Sequence, residues 1–222
     1  MNYIKTRLFW IIFTVIFVHT TVSAFAFSSS EFVGKVIVKH QGVVVERRGE
    51  VLNINAFGRK LRSGDIVVTG DTGKAHVIMD KGDIIILAPW TKLTILDKDN
   101  PVPSTKSSTR TFSFDGKIRA KIKRSRNRKP RFKTVNAEIN IKGTEFVAEY
   151  ANKITTVATL EGLVNMSSAE TGEDTDIPAG KMSSVSIAGE IMPLSEIAGE
   201  ILSGVESAGE KMMEEDIAGK KL

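Results

Sequence analysis

Apolar and polar residues alternate in short segments over residues 33–187, and this pattern predicts a series of β-strands. Ala75, Val77 and Met79, for example, occupy every second position of one segment, which is the period of a half-buried strand. Turn-forming pairs recur every 8 to 12 residues, and no long helical pattern interrupts them. We therefore expect an all-β fold, a sandwich or roll of many short strands.

Two local patterns add detail to this expectation. Ile84–Leu87 is a continuous apolar run closed by Pro89, which indicates a strand buried on both faces. Asp115-Gly116 lies between Phe114 and Ile118, and an Asp-Gly pair in such a setting predicts a hairpin turn. Residues 100–108 are rich in Pro, Ser and Thr and predict a surface loop.

Residues 1–26 have the layout of a secretory signal peptide. Lys5 and Arg7 precede an apolar run of 11 residues, and Ala24-Phe25-Ala26 supplies small residues at the spacing of a cleavage site. The run is shorter than the ~20 residues that a transmembrane helix needs. We expect a signal helix, cleavage after Ala24 or Ala26, and an exported protein of the periplasm. The alternative is an uncleaved segment that holds the protein at the inner membrane.

Composition limits the chemistry. The chain has 222 residues and no cysteine, which excludes disulfides, thiolate metal sites and a lipid-anchored cysteine. Its three histidines lack ligand spacing, and no nucleophile, Walker or dinucleotide motif is present. Asp80 and Asp83 flank a turn and are more simply turn residues than catalytic acids. The sequence thus predicts no catalytic, cofactor-binding or metal-ligating residues, and a glycan-cleaving carboxylate pair is the remote alternative.

The net charge of +5 is a sum of unlike parts. Residues 117–133 carry ten lysines and arginines and no acid, whereas residues 170–222 carry 12 acids and 4 bases. Ile118, Ala120 and Ile122 alternate with cations, as in a half-buried strand with a basic outer face. The candidate residues for binding an anionic surface are Lys117, Arg119, Lys121, Lys123, Arg124, Arg126, Arg128, Lys129, Arg131 and Lys133.

Three interpretations of this basic segment stay open. It can bind an acidic partner, either an envelope protein or an anionic glycan or lipid surface. It can be an edge strand whose cations prevent edge-to-edge pairing. It can also be neutralised by the acidic tail. Nucleic acid, with Phe112, Phe114 and Phe132 as stacking residues, is disfavoured because an exported protein rarely meets it.

Residues 188–222 form a tail of different character. An Ile-Ala-Gly-Glu type sequence recurs with a ten-residue spacing from residue 187 onward. Apolar residues at helical spacing predict an amphipathic helix; they are Leu194, Ile197, Ala198, Ile201, Val205 and Ala208. Each interior glycine costs a helix about 1 kcal/mol. We therefore expect a weakly helical tail, and self-association through it is one candidate interaction.

Five motifs follow one another in the β region. They are Leu61-x-x-Gly64-Asp65-x-Val67-x-Thr69-Gly70, Gly73-x-Ala75-x-Val77-x-Met79-x-x-Gly82-x-x-Ile85-x-Leu87-x-Pro89, Lys142-Gly143-Thr144-Glu145-Phe146-Val147, Val157-x-x-Leu160-Glu161-Gly162-x-Val164 and Pro178-Ala179-Gly180-Lys181. Their order and spacing resemble the FecR domain, an extracytoplasmic β domain named after the ferric-citrate transport regulator. The resemblance implies a FecR-like domain over residues 27–187.

The motif residues have a structural explanation. Glycine supplies positive φ angles in tight turns without steric cost, and an aspartate side chain can cap a turn. We expect structural roles for Gly64, Asp65, Gly82, Gly143, Thr144, Phe146, Glu161, Gly162 and Gly180. The FecR motif names no catalytic residue.

The resemblance also implies a function, with one departure. In the regulators that name the family, a cytoplasmic part holds a sigma factor and a periplasmic domain responds to an outer-membrane receptor. Only seven residues precede the apolar run here, so we expect a stand-alone exported domain without that cytoplasmic part. The expected function is non-enzymatic binding in the cell envelope. The alternative is an envelope signalling component that relays to a separate membrane regulator.

Overall fold

The computed structural model describes residues 32–38, 42–54, 58–79, 82–96, 110–125, 130–141, 143–203 and 205, all within the compact unit Glu31–Leu222. The predicted signal peptide and the predicted loop at 100–108 lie outside these residues. The described strands are β1 (Phe32–Val38), β2 (Val43–Arg47), β3 (Glu50–Leu52), β4 (Arg59–Arg62), β5 (Ile66–Thr69), β6 (Ala75–Met79), β7 (Ile84–Leu87), β8 (Lys92–Ile95), β9 (Thr111–Lys121), β10 (Arg131–Lys133), β11 (Ala137–Ile141), β12 (Glu145–Ala151), β13 (Ile154–Glu161), β14 (Leu163–Ser168), β15 (Asp174–Pro178), β16 (Lys181–Ser186) and β17 (Ser195–Glu196). A short helix, α1 (Gly199–Leu202), follows β17. The predicted all-β fold of many short strands is confirmed.

The strands form two sheets that share β9. Sheet A has the order β4-β1-β6-β7-β9-β12-β13-β16-β17. Sheet B has the order β3-β2-β5-β8-β9-β10-β11-β14-β15. Neighbours are antiparallel except β9 and β10, which are parallel.

The inner faces of the two sheets meet in one hydrophobic core. Phe132 of sheet B stacks on Phe112 with their ring centroids 5.1 Å apart, and it meets the edge of Phe146 from sheet A at 5.3 Å. Aromatic pairs in these geometries add about 0.5–1.5 kcal/mol beyond their area burial. Phe112, Phe114 and Phe132 are all buried, so they form no stacking surface for bases.

The β7 run behaves as its sequence predicts. Ile85 and Leu87 are fully buried on the core side, and Ile86 is buried on the opposite face. Ile86 lies beside Arg119 of β9 in the sheet register. The continuous apolar run therefore reflects a strand covered on both faces, as expected for the middle of a large sheet.

The predicted hairpin at Asp115-Gly116 is wrong. β9 continues through both residues: Thr111–Asp115 pairs within sheet B, and Gly116–Lys121 pairs within sheet A. Gly116 has φ +98°, and a β-carbon there would lie 2.6 Å from the carbonyl oxygen of Trp90. The glycine is needed where the strand crosses between sheets against a neighbouring backbone, which is the other common role of a strand glycine.

The tail expected to be weakly helical over 194–208 is helical in part of its described residues and extended in another part. Ser195 and Glu196 pair with β16 as a strand, and only Gly199–Leu202 is helical. The edge of β16 offers unpaired backbone groups, so the chain extends along it before it turns. The apolar positions are nevertheless used, because Ile201 and Val205 are buried against sheet A.

Candidate functional site

The basic stripe of β9 lies in the middle of sheet A. Lys117, Arg119 and Lys121 point to the outer face, while Ile118 and Ala120 are fully buried, as the alternation predicts. β9 pairs with β7 on one side and with β12 on the other. The edge-strand interpretation is therefore wrong for this part of the segment, since no free edge is there to protect.

Carboxylates from β12 neutralise the stripe. Glu145 stands opposite Lys121 in the register and accepts hydrogen bonds from Arg119 Nε at 2.8 Å and Arg119 Nη2 at 2.5 Å. Lys121 Nζ lies 2.9 Å from the other oxygen of Glu145. Glu149 stands opposite Lys117 and pairs with it at 3.2 Å. Burial raises the pKa of Glu145, but the hydrogen bonds from Lys121 and Arg119 outweigh it and hold that pKa below its ordinary value.

A third carboxylate, from Glu138, pairs with the cations of β10. Arg131 Nε and Lys133 Nζ lie 2.9 Å and 3.2 Å from the two oxygens of Glu138 on β11. β10 is also paired on both sides, by β9 and β11. Five of the seven predicted cations that the structure describes thus have carboxylate partners. The sequence pattern could not reveal these partners, because they come from neighbouring strands.

The acidic tail does not supply these partners among the described residues. It reaches Lys117 through backbone oxygens instead: Lys117 Nζ donates to the carbonyls of Glu200 at 3.3 Å and Ser203 at 3.5 Å. The interpretation that the tail's acids neutralise the stripe is therefore wrong for this region. Lysine near the end of a helix commonly holds the last carbonyls in this way.

Two further cations, Lys123 and Arg124, follow shortly after β9. Lys123 and Arg124 are exposed and have no carboxylate partner among the described residues. The backbone amide of Lys123 donates to Asp83 Oδ1 at 2.9 Å, which anchors the start of the segment to the turn after β6. Arg126, Arg128 and Lys129 lie outside the described residues. We call residues 123–129 the basic segment end.

Gly82 and Gly143 pack against the first residues of the basic segment end, and Gly162 packs against Gly143. A β-carbon at Gly82 would lie 2.8 Å from Lys123 Nζ, and one at Gly143 would lie 2.7 Å from Arg124 Cα. A β-carbon at Gly162 would lie 2.8 Å from the carbonyl oxygen of Gly143. All three have positive φ. Motifs far apart in sequence thus meet at one end of sheet A, where they let the chain fold closely beneath the cations.

The other motif residues lie as turns or core. Thr144 is buried and its carbonyl accepts from Ile122 N at 2.9 Å, and Phe146 is in the core. Glu161 is exposed at the end of β13, and Gly64 and Gly180 have positive φ with open space around them. Of these positions, Thr144 lies beside the start of the basic segment end, because its partner Ile122 is the residue that precedes Lys123.

Asp65 has a partner that sequence reasoning missed. Its buried carboxylate accepts from the backbone amide of Arg62 at 2.8 Å, which is the expected turn cap. It also accepts two hydrogen bonds from Arg47, at 2.7 Å from Nε and 2.6 Å from Nη2. The hydrogen bond to Asp65 raises the pKa of Arg47. A bidentate arginine–carboxylate pair of this kind is strong and geometrically specific.

Comparison with known proteins bears on the family resemblance. Residues 65–165 match the family described as FecR protein, which confirms the resemblance over that part of the chain. The fold is also similar to two crystal structures, at 1.65 Å and 2.50 Å resolution, of a "putative anti-sigma factor" from Parabacteroides distasonis ATCC 8503. Identities are 14% and 15%, both TM-scores are 0.49, and each match covers 59% of this chain and 59% of the other. No curated protein matches the chain.

Two kinds of feature are absent from the described residues. No described helix is long and apolar enough to cross a membrane. In the same part of the chain, no three His, Cys, Asp or Glu side chains come together as a metal-binding group. His76 is buried in β6, whereas His40 lies outside the described residues.

Proposed function

We propose that this chain is an exported, non-enzymatic FecR-domain protein that acts in the cell envelope as a binding module. The observation that carries the proposal is the FecR match over residues 65–165 on a β-sandwich. The signal-peptide layout of residues 1–26 supports export to the periplasm. N-terminal sequencing of the exported protein tests this part: we expect a start at Phe25 or Phe27, and an intact Met1 would contradict cleavage.

The basic segment end is the proposed contact for an acidic partner. The stripe residues are paired with Glu145 and Glu149, so they add little to the long-range electrostatic field; they are Lys117, Arg119 and Lys121. Lys123 and Arg124 have no such carboxylate partner among the described residues. Three more cations follow them in the sequence: Arg126, Arg128 and Lys129. Clustered cations of this kind attract an acidic protein surface or an anionic glycan or lipid.

Charge reversal tests this contact. The probe is a set of vesicles containing an anionic phospholipid, with soluble lipopolysaccharide as a second probe. We expect Lys123→Glu/Arg124→Glu to weaken salt-sensitive binding at least about tenfold, because like charges then face the probe. The matched control is Lys92→Glu/Lys153→Glu, which reverses two exposed lysines elsewhere. Equal binding by both variants and the wild type would remove the basic segment end as the contact.

The second candidate function is a component of envelope signalling that relays to a separate membrane regulator. The FecR match favours it, because the family takes its name from a regulator. Genes for a sigma factor and an outer-membrane receptor beside the gene for this chain would support it. Deletion of this chain's gene would then change the levels of the transcripts that the sigma factor controls. Unchanged transcript levels would contradict the signalling role and leave the binding role as the remaining proposal.

A further inference from the structure

Residues 191–203 and 205 lie across sheet A as a strap. The strap first runs along β16: Ile191 bridges to Val185, the amide of Met192 donates to Ser184 O at 2.8 Å, and β17 pairs with Lys181 and Met182. It then turns through α1 onto the outer face of the sheet. The addition of a strand to a sheet edge is a recurring way in which a peptide binds a protein.

The strap covers an apolar strip of sheet A. Ile201 and Val205 are buried there, and Ile197 and Leu202 are partly buried. The sheet contributes Ala88, Val147, Ala158, Leu160 and Met182. Val147 and Ala158 point to the outer face, yet both are fully buried because the strap lies over them. This cluster is separate from the main core between the sheets.

The strap is weakly held at both of its elements. β17 has two residues, and α1 has four, starts at Gly199 and lacks a side-chain hydrogen bond from its N-cap residue, Ala198. Isolated helices of that length are unstable in water. Beyond its start at Ile191 and Met192, the strap is held by Lys117, which donates to the carbonyls of Glu200 and Ser203, by the ion pair between Lys181 and Glu196, and by the amide of Ala198, which donates to Met182 Sδ at 3.3 Å. Segments with so few buried contacts open more readily than the core.

We infer that the strip beneath the strap is a peptide-binding site and that the strap is its built-in competitor. The inference deepens the proposed binding function and rests on it. The seated strap defines the partner's chemistry: a protein segment that adds a short strand beside β16 and then places branched apolar side chains four residues apart, as Ile197 and Ile201 are placed. Lys117 donates hydrogen bonds to the carbonyl oxygens at the end of that segment.

Tethering sets how strongly a partner must bind. A segment on a short link competes at an effective concentration in the millimolar range. A partner at a lower concentration therefore displaces the strap only when it binds the strip more tightly than the strap does. The gain in affinity must exceed the ratio of the strap's effective concentration to the partner's concentration. This arrangement keeps the apolar strip covered until a matching segment arrives.

The test uses the full chain with the strap disabled in place. Ile201→Asp/Val205→Asp puts carboxylates where apolar side chains are buried, and the probe is a labelled synthetic peptide of residues 191–205. We expect saturable binding to this variant and at least about tenfold weaker binding to the wild type. A peptide with the same two aspartates is the matched control and should not bind. Failure of the folded variant to bind the native peptide at millimolar concentration, or equal binding of both peptides, overturns the inference.

A second variant keeps the test valid if the aspartates unfold the chain. Lys181 and Glu196 are register partners, and the chain has no cysteine, so Lys181→Cys/Glu196→Cys can form a single disulfide. Oxidation fixes β17 on β16 and should abolish residual peptide binding, and reduction should restore it. Binding that is indifferent to oxidation overturns the inference. Binding that appears only as exchange of straps between two copies, seen as a dimer by sedimentation, overturns the choice of a foreign partner.

The two proposals fail separately. Lys123→Glu/Arg124→Glu leaves the strip unchanged. When these substitutions are added to the Ile201→Asp/Val205→Asp protein, we expect them to leave peptide binding as it is and to weaken binding of the anionic probes. Loss of peptide binding with intact anion binding would reduce the strap to a structural element. Intact peptide binding without anion binding would support the strip as a peptide-binding site and contradict the basic segment end as a contact.

Discussion

At the scale of single residues, Gly116 is where the backbone of β9 has least freedom. Its φ is +98°, and a β-carbon would meet Trp90 O at 2.6 Å and the Cα of Thr91 at 2.8 Å. Both obstacles are backbone atoms, held by hydrogen bonds such as the one from Thr91 N to Thr69 Oγ1 at 2.8 Å. The turn before β8 therefore cannot retreat cheaply from a larger residue.

We expect Gly116→Ala to lower the free energy of unfolding by about 3 kcal/mol or more, because backbone strain and steric overlap add. The control is Gly180→Ala, which has φ +82° but open space around it. Strain alone costs about 1–2 kcal/mol there. Urea denaturation of both variants measures the difference. Equal losses would show that the approach to Trp90 carries no energetic weight.

At the scale of elements, the sequence predicted which segments become strands better than how those strands pair. Alternation indicates which residues of β9 are buried, since a strand has one inner face wherever it lies. It cannot say that Glu145 and Glu149 stand beside the cations, because that register is fixed by strands distant in the chain. For the same reason, the Asp115-Gly116 pair predicts a hairpin, because the sequence does not show that β9 passes from sheet B to sheet A there. The tail's apolar spacing fits a helix, but the open edge of β16 outweighs that preference.

The pairing of β9 with β12 gives a prediction about pH. Glu145 has a pKa below its ordinary value of 4.5, so its charged form stabilises the folded state. This contribution is complete above the unfolded pKa and is lost as pH falls through the lower folded pKa. We expect Glu145→Gln to cost about 1–2 kcal/mol at pH 7, less than a fully buried pair because solvent screens it in part.

Denaturation of the wild type and of Glu145→Gln at several pH values measures this effect. The difference between the two proteins should stay constant above about pH 5 and shrink as the pH drops below 4.5. Glu161→Gln is the matched control, since Glu161 is an exposed carboxylate paired by register with Glu145. A difference independent of pH would show that Glu145 acts through its shape rather than its charge.

At the scale of the whole molecule, charge and burial divide the chain into parts with different roles. The two sheets enclose one core, Lys123 and Arg124 leave sheet A after β9, and the strap covers part of the outer face. The net charge of +5 describes none of these parts, because most of the stripe is neutralised within the sheets. Apart from Ile191, the buried apolar residues of the strap belong to a cluster separate from the main core, so we expect that part of the strap to contribute separately to the free energy of unfolding.

A chain that ends at Leu194 tests that separation. It keeps Ile191, which packs against the main core, and loses β17 and α1. Burying Ile201 and Val205 contributes about 1.5–3 kcal/mol each, and most of this is offset by the entropy cost of ordering the segment, about 1 kcal/mol or more per residue. We expect a net loss of about 1–3 kcal/mol, cooperative unfolding, and stronger binding of a hydrophobic dye as Val147 and Ala158 become exposed. The full chain with Ile187→Ser, which changes an exposed residue, is the control. A shortened chain without a cooperative transition would mean that the strap completes the core rather than covering a separate site.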